Sequence, residues 1–329
     1  MIYYRFAASP YSHTLDTAAF QRARTVSTNE VAFTALSAIP AFPSVDASER
    51  ISDRLLHTQR GMTSTTLHPK EGWHVLHLFY RIDYASWRLL SKEEQIEAKT
   101  AISALVQQIR ATEETQLLTF SVVSPKADLG FMLLTPDLHF ANAVEKKLSL
   151  SLGDDVLSPV FSFYSLTERS EYTTTEEEYR AGLAKEKSAE EIDELMKEFR
   201  ARMDKYLQDR LYPNVADWPV LCFYPMSKRR GEQENWYRLS FDERKQLMSG
   251  HARVGRQYAG RIRQLITGAT GLDDWEWGVT LLAHDVFEVK SVVYEMRFDD
   301  VSARFAEFGE FFIGLQLPLD QLFQRLLLS

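Results

Sequence analysis

A phenol, a run of cations and a histidine lie close together between Tyr224 and Gln264. The stretch opens Y-P-M-S-K-R-R (224–230), continues L-S-F-D-E-R-K-Q-L-M-S-G-H-A-R-V-G-R-Q-Y-A-G (239–260) and closes R-I-R-Q (261–264). P-V-L-C-F-Y-P-M-S-K (219–228) reads as a strand. Side chains alternate along a strand, so Tyr224, Met226 and Lys228 share one face, spread over about 13 Å at 3.3 Å per residue. A phenol can be oxidised and an ammonium can hold a carboxylate, so that face suits oxidation of an anionic substrate. Pro225 has no N–H to give to a ladder, which predicts a sheet edge or a bulge there.

His251 falls in a helix predicted near 241–258, on a face with Met248, Val254, Gly255 and Tyr258. No second His, Cys or carboxylate stands at metal-ligand spacing from it, which argues against zinc. One histidine is enough for haem iron, because the porphyrin supplies the other four ligands. Arg210, Arg229, Arg230, Arg256 and Arg297 surround the segment, and arginine forks bind carboxylates bidentately. Taken singly, Tyr224 and His251 read as core residues and the cations as surface. Grouped in an acidic chain, they favour a polyanionic ligand, and an iron porphyrin bearing carboxylates suits the whole set.

The elements that must position these residues come from a chain of 329 residues, 45% hydrophobic and 12% aromatic, enough for two ordinary domains. Its net charge of −8 argues against general nucleic-acid binding. The single cysteine, Cys222, excludes an internal disulfide and any cysteine-built metal site, as fits a reducing cytoplasm. No apolar run reaches the length of a membrane span. Residues 1–66 are rich in Ser, Thr, Ala and Pro, and read as a disordered extension or as translation taken from too early a start, Met62 being the later candidate. V-A-F-T-A-L-S-A-I-P-A-F-P (31–43) lies too far in, with two prolines, to form a cleaved leader.

From residue 70 the pattern is regular. Strands are predicted over 73–82, 116–123, 129–135 and 157–166, with helices from the S-x-x-E box at Ser91 and Glu94 and over 137–149. That order, β-α-β-β-α-β, is the ferredoxin-like unit. Leu90-Ser91-Lys92-Glu93-Glu94 recurs as Leu239-Ser240-Phe241-Asp242-Glu243, an offset of 149. Gly130-x-x-Leu133-Leu134-x-x-Asp137 recurs as Gly278-x-x-Leu281-Leu282-x-x-Asp285, an offset of 148. Two matches at nearly one offset predict an internal duplication. The fold expected is therefore α+β, two fused ferredoxin-like units whose sheets close on each other as a barrel. The expected divisions are an extension at 1–66, a first half at 67–168, a helical connector at 169–217 and a second half at 218–329. The charged run 176–207 reads as one long exposed helix, its end delivering Arg210.

Taken together these residues resemble the coproheme decarboxylases of the chlorite dismutase-like superfamily. The likeness covers about 70–329 and rests on Y-P-M-S-K-R, H-A-R-V-G-R-Q-Y-A-G, D-D-W-E-W-G-V-T-L (273–281), Y-E-M-R-F-D-D-V-S-A-R-F (294–305) and F-G-E-F-F-I-G (308–314). The resemblance implies two fused ferredoxin-like halves forming a dimeric α+β barrel, usually assembled as a ring of five. It also implies conversion of iron coproporphyrin III (coproheme) to haem b by two oxidative decarboxylations driven by hydrogen peroxide, the porphyrin being substrate and redox centre at once. A transient contact with a ferrochelatase, no nucleic acid and no membrane span complete the expected partners.

By motif, the resemblance makes His251 the proximal iron ligand. Tyr224 becomes the radical that takes hydrogen from a propionate, after which carbon dioxide leaves and a vinyl group remains. Lys228 assists at the second propionate. Arg210, Ser302 and the segment Tyr224, Pro225, Met226, Ser227 and Lys228 hold propionates, with Arg256 and Arg297 as helpers. Gln264 stands over the peroxide site, where chlorite dismutases carry arginine. Arg263 is its neighbour, and a one-residue slip would exchange their faces. Phe163 departs from the family, many members showing tyrosine there. Two other readings use the same pocket: a haem peroxidase or chlorite dismutase, and a haem carrier or sensor without turnover.

Overall fold

The computed structural model describes residues 66–328, except 186 and 216. The expectations for residues 1–66 therefore lie, but for the last residue, outside the described residues.

The first half runs β1 (His74–Ile82), α1 (Tyr84–Leu89), α2 (Lys92–Arg110), β2 (Gln116–Val122), β3 (Leu129–Thr135), α3 (Leu138–Ser149) and β4 (Leu157–Thr167). Its helices start where short polar side chains can take orphan N–H groups. Ser91 and Glu94 form a reciprocal capping box, and Asp137 caps α3. A helical connector follows, α4 (Glu176–Leu183) and α5 (Ala189–Leu211). The second half runs β5 (Val220–Lys228), α6 (Phe241–Arg256), β6 (Ile262–Gly268), β7 (Trp277–Ala283), α7 (Val286–Met296), α8 (Asp300–Phe305), β8 (Ala306–Phe308) and β9 (Phe312–Gln316). Ser240 with Glu243 and Asp285 cap at the places equivalent to the first-half pair. A last helix, α9 (Leu319–Arg325), follows β9.

In the first half the strands lie in the order β4-β1-β3-β2, and in the second in the matching order β9-β5-β7-β6. β2 then pairs with β9 and β4 with β6, so eight strands close on themselves, antiparallel throughout. Closure removes the free edges that two open sheets would leave. Phe79, Phe120, Phe163, Phe223 and Phe312 fill the interior, Phe79 stacking on Phe312 at 4.1 Å. His77 stacks on Phe223 at 4.0 Å and meets Thr280 Oγ1 at 2.8 Å. Burial pushes its pKa down to about 3, so it crosses between the halves as a neutral ring.

The repeated glycines have a common cause. Gly130 and Gly278 sit on the third strand of each half, under an aromatic ring inside the barrel. A Cβ on Gly130 would lie 2.0 Å from Phe120, and one on Gly278 would lie 2.5 Å from Phe163. Phe163 is thus buried in the barrel interior, facing away from the cavity described below.

One expectation changes and another narrows. The charged run is two helices rather than one: Ser188 and Glu191 form a second capping box that restarts the chain. α4 and α5 pack as a hairpin, with Tyr179 stacked on Phe199 at 4.4 Å and Arg200 bonded to Glu176 at 2.8 Å. Of the two expectations for Pro225 the edge fails, since β5 is paired on both sides, and the bulge holds, since the register against β8 and β9 shifts by one residue across Pro225. Its missing N–H falls where the neighbouring strand is broken between β8 and β9.

The outer faces of the halves differ. On the first, Leu78, Tyr80 and Ile82 pack under α2 and α3, and Leu322, Leu326 and Leu328 from the C-terminal segment join that core. On the second, the equivalent β5 positions carry Tyr224, Met226 and Lys228, and α6 has no fully buried residue. The equivalence follows from register, Phe79 pairing with Gly130 as Pro225 pairs with Gly278. No helix among the described residues is long and apolar enough to cross a membrane.

Overpacking at the glycine sites gives the first test. Gly278→Ala should destabilise the protein by about 1–3 kcal/mol in urea unfolding, and Phe163→Leu in the same chain should recover part of the loss.

Candidate functional site

The second outer face opens into a cavity of about 310 Å³ between the sheet, α6, α7 and the segment 168–172. Strand alternation aims Tyr224, Met226 and Lys228 of β5 into it, with Gln264 and Ile266 of β6 and Trp277 and Val279 of β7 beside them. Met248 and His251 of α6 face them, with Val293 and Met296 of α7. The walls are therefore largely apolar and aromatic, and their charged groups are the cations Arg169, Arg210 and Lys228 and the carboxylates Glu168 and Glu171. A slot of that kind fits a flat apolar ligand with anionic substituents.

His251 is held from behind. Its Nδ1 lies 3.1 Å from Asp299 Oδ2, and a carboxylate can only accept, so Nδ1 is the nitrogen that donates and Nε2 is the one left outside that bond. The other Asp299 oxygen caps α8 through the N–H groups of Val301 and Ser302, so the carboxylate is fixed at both oxygens. Burial opposes its charge, but the bonds from His251 and Ser302 outweigh that and hold its pKa below the ordinary value.

Tyr224 is buried, and burial raises its phenol well above the usual range; the Cys222 thiol adds to this and Arg297 opposes it. The phenol therefore keeps its proton. Lys228 is buried beside the Trp236 indole, its Nζ 4.6 Å from the ring centroid. Burial lowers it to about 8, against the pull of the Asp299 and Glu276 carboxylates. Glu276, itself buried, accepts the Lys228 backbone N–H at 2.7 Å, which fixes the strand end that carries the ammonium. Arg210 bonds through Nε to the Glu168 carbonyl at 3.0 Å, and the Trp277 indole N–H lies 3.2 Å from the Glu168 carboxylate.

The cavity thus brings together seven of the residues singled out in the sequence: Arg210, Tyr224, Met226, Lys228, His251, Gln264 and Ser302. Pro225 and Ser227 point the other way by strand alternation, and Ser227 Oγ accepts the Glu276 N–H at 3.3 Å. Arg256, near the exposed end of α6, and Arg297, stacked over Phe308 at 4.2 Å, do not line it. Arg263 faces away from Gln264, its guanidinium 6.0 Å from the Trp218 ring. The wall also contains residues the sequence reading passed over. Trp277 and Phe308 lay inside quoted motifs, as did Asp299 behind His251. Glu168, Arg169, Ser170, Glu171, Tyr172 and Trp236 carried no local signal. Among the described residues no cluster of three His, Cys, Asp or Glu could hold a bare metal ion.

The chlorite dismutase family model matches residues 95–317. A heme-binding protein from Thermus thermophilus is 39% identical, with a TM-score of 0.66 over 81% of this chain and 99% of that one. A variant of the chlorite dismutase from Candidatus Nitrospira defluvii is 17% identical, with a TM-score of 0.60 over 80% and 99%. The same enzyme in complex with imidazole gives 0.59 over 78% and 96%, at 17% identity. The last two are similar in fold alone. With most of its length matched, the chain belongs to the chlorite dismutase family.

The Asp299 contact predicts how His251 behaves. Nitrogen NMR of the purified chain should show one His251 tautomer, protonated at Nδ1, and Asp299→Asn should give a tautomer mixture. Asp299→Ala should in addition lower stability by about 1 kcal/mol through the lost cap.

Proposed function

We propose that the protein oxidatively decarboxylates two propionates of iron coproporphyrin III, giving haem b with hydrogen peroxide as oxidant. The observation that carries this reading is that Tyr224, Lys228, Gln264 and His251 open on one apolar-walled cavity. A carrier needs neither a buried phenol nor a buried ammonium there. Chlorite chemistry in relatives resembles this site but uses arginine where Gln264 stands, and here Arg263 faces elsewhere. The heme-binding relative from Thermus thermophilus supports a haem-type ligand. The residues fit it: one histidine with a free Nε2 suits a metal that arrives already in a macrocycle, and the cations suit its carboxylates.

In this reading His251 Nε2 holds the iron, Asp299 fixing the ring. The bound iron supplies the oxidising equivalents of peroxide. Tyr224, protonated at rest, gives up its hydrogen atom and then takes one from the propionate chain. Each propionate loses carbon dioxide, one proton and an electron pair to become vinyl, and each peroxide takes that pair, that proton and one more from solvent to give two waters. Arg210 and Ser302 orient the propionates, and Lys228 holds the second for reaction. Gln264 lies over the peroxide position. A ring of five, a cytoplasmic location and a ferrochelatase contact belong to the same proposal and rest on the resemblance.

Mass spectrometry of the porphyrin, after mixing the protein with iron coproporphyrin III and titrating in peroxide, tests this. Stepwise loss of two carboxyl groups is expected. Unchanged porphyrin with binding shown by absorption would favour a carrier, and rapid oxygen release from chlorite would favour a dismutase. Tyr224→Phe should bind the porphyrin and fail to decarboxylate it. Lys228→Ala should slow the second step about 10–100-fold and accumulate the singly decarboxylated product. Lys228 is charged below about 8, so the second step should hold at lower pH and fall as pH rises through that value, as stopped-flow pH profiles would show.

A further inference from the structure

F-G-E-F-F-I-G (308–314) takes no part in the chemistry above, yet the fold breaks a strand there. β8 ends at Phe308 and β9 begins at Phe312, and the residues between step out of the sheet. Gly309 donates its N–H to the Pro225 carbonyl at 2.9 Å, and a Cβ on it would meet Pro225 Cγ at 2.6 Å. The step sits where Pro225 has no N–H to pair, so the break forfeits no ladder bond on that side. Its product is a change of direction. Phe312 fills the barrel, whereas Phe311 turns outward and stacks on Tyr224, centroids 4.3 Å apart and planes at 23°. Phe308 closes the slot at 5.7 Å and 56°. The first half reaches across to hold the step: Lys126 Nζ, from the β2–β3 turn, donates to the Phe311 carbonyl at 3.2 Å and lies 3.8 Å from Glu310.

We propose that this step is a clamp, in which Phe311 is a positioning residue that fixes the Tyr224 ring for hydrogen transfer and Lys126 ties the clamp to the other half. The role rests on the decarboxylase reading. Among the described residues no protein group hydrogen-bonds the Tyr224 hydroxyl, so packing of the ring is what sets where its phenol oxygen points. Transfer between a phenol and a propionate depends on that direction, and a displacement of about 1 Å can cost about 100-fold.

The experiment uses the full chain with fluorotyrosine placed at position 224. A clamped ring flips slowly and should give two resolved fluorine resonances. Phe311→Ala should merge them into one averaged signal and slow the first decarboxylation about 10–100-fold in single turnover, with coproheme affinity within about twofold of the parent. Phe311→Tyr, which keeps a flat ring, should restore both. Lys126→Met should move both readouts the same way by less, and it stands alone if Phe311→Ala fails to fold. An unchanged first step in Phe311→Ala, or a slowed one with the fluorine spectrum unmoved, overturns the clamp. A parent protein that binds coproheme and never decarboxylates it overturns the functional reading instead, while the fluorine spectra still report whether Phe311 holds the ring.

Discussion

The interior of the eight-stranded barrel must be filled, and the rest of the molecule follows from how that is done. Phe79, Phe120, Phe163, Phe223 and Phe312 occupy it, and in each half a glycine makes room for one of the rings. Because side chains alternate along a strand, seating Phe223 inside sends Tyr224 out. Met226 and Lys228 follow on the same outer face. The placement of the cavity-facing side chains is thus a by-product of how the apolar barrel interior is filled.

Duplication supplied two such outer faces, and they are covered differently. In the first half Leu78, Tyr80 and Ile82 are covered by two helices and by leucines from the chain's last segment. In the second, α6 turns a partly exposed face of Met248 and His251 toward the sheet instead of an interlocking one. An apolar face held apart from its sheet is unfavourable on its own, so the second half gives up contact area to keep the slot. Its stability rests on the core that Val279 and Leu281 of β7 make with Val289 and Val292 of α7, on the barrel behind, and on polar ties such as Asp299 to His251.

Local features were legible in the sequence because their causes are local. Ser91 with Glu94 and Ser240 with Glu243 announced two helices, and alternation put Tyr224 with Lys228. The repeat of Gly130 as Gly278 showed the duplication, although its reason, a ring across the barrel, could be seen only in three dimensions. The hairpin of the connector was missed through the weight given to continuous charge, when Ser188 and Glu191 marked a restart. Pro225 left edge and bulge open because the break that accommodates it lies in β8 and β9, far along the chain. Glu168 to Tyr172 and Trp236 gave no sign of lining a cavity, since their role depends on segments that meet only after the sheets close.

The C-terminal leucines have a bearing on synthesis as well as on packing. Leu322, Leu326 and Leu328 complete the core of the half that is translated first. β2 likewise waits for β9, and β4 for β6. On the ribosome, then, the earlier half emerges with an open sheet and an unfinished core, and must remain so until residues 312–328 are out. Such a nascent chain invites holding by chaperones.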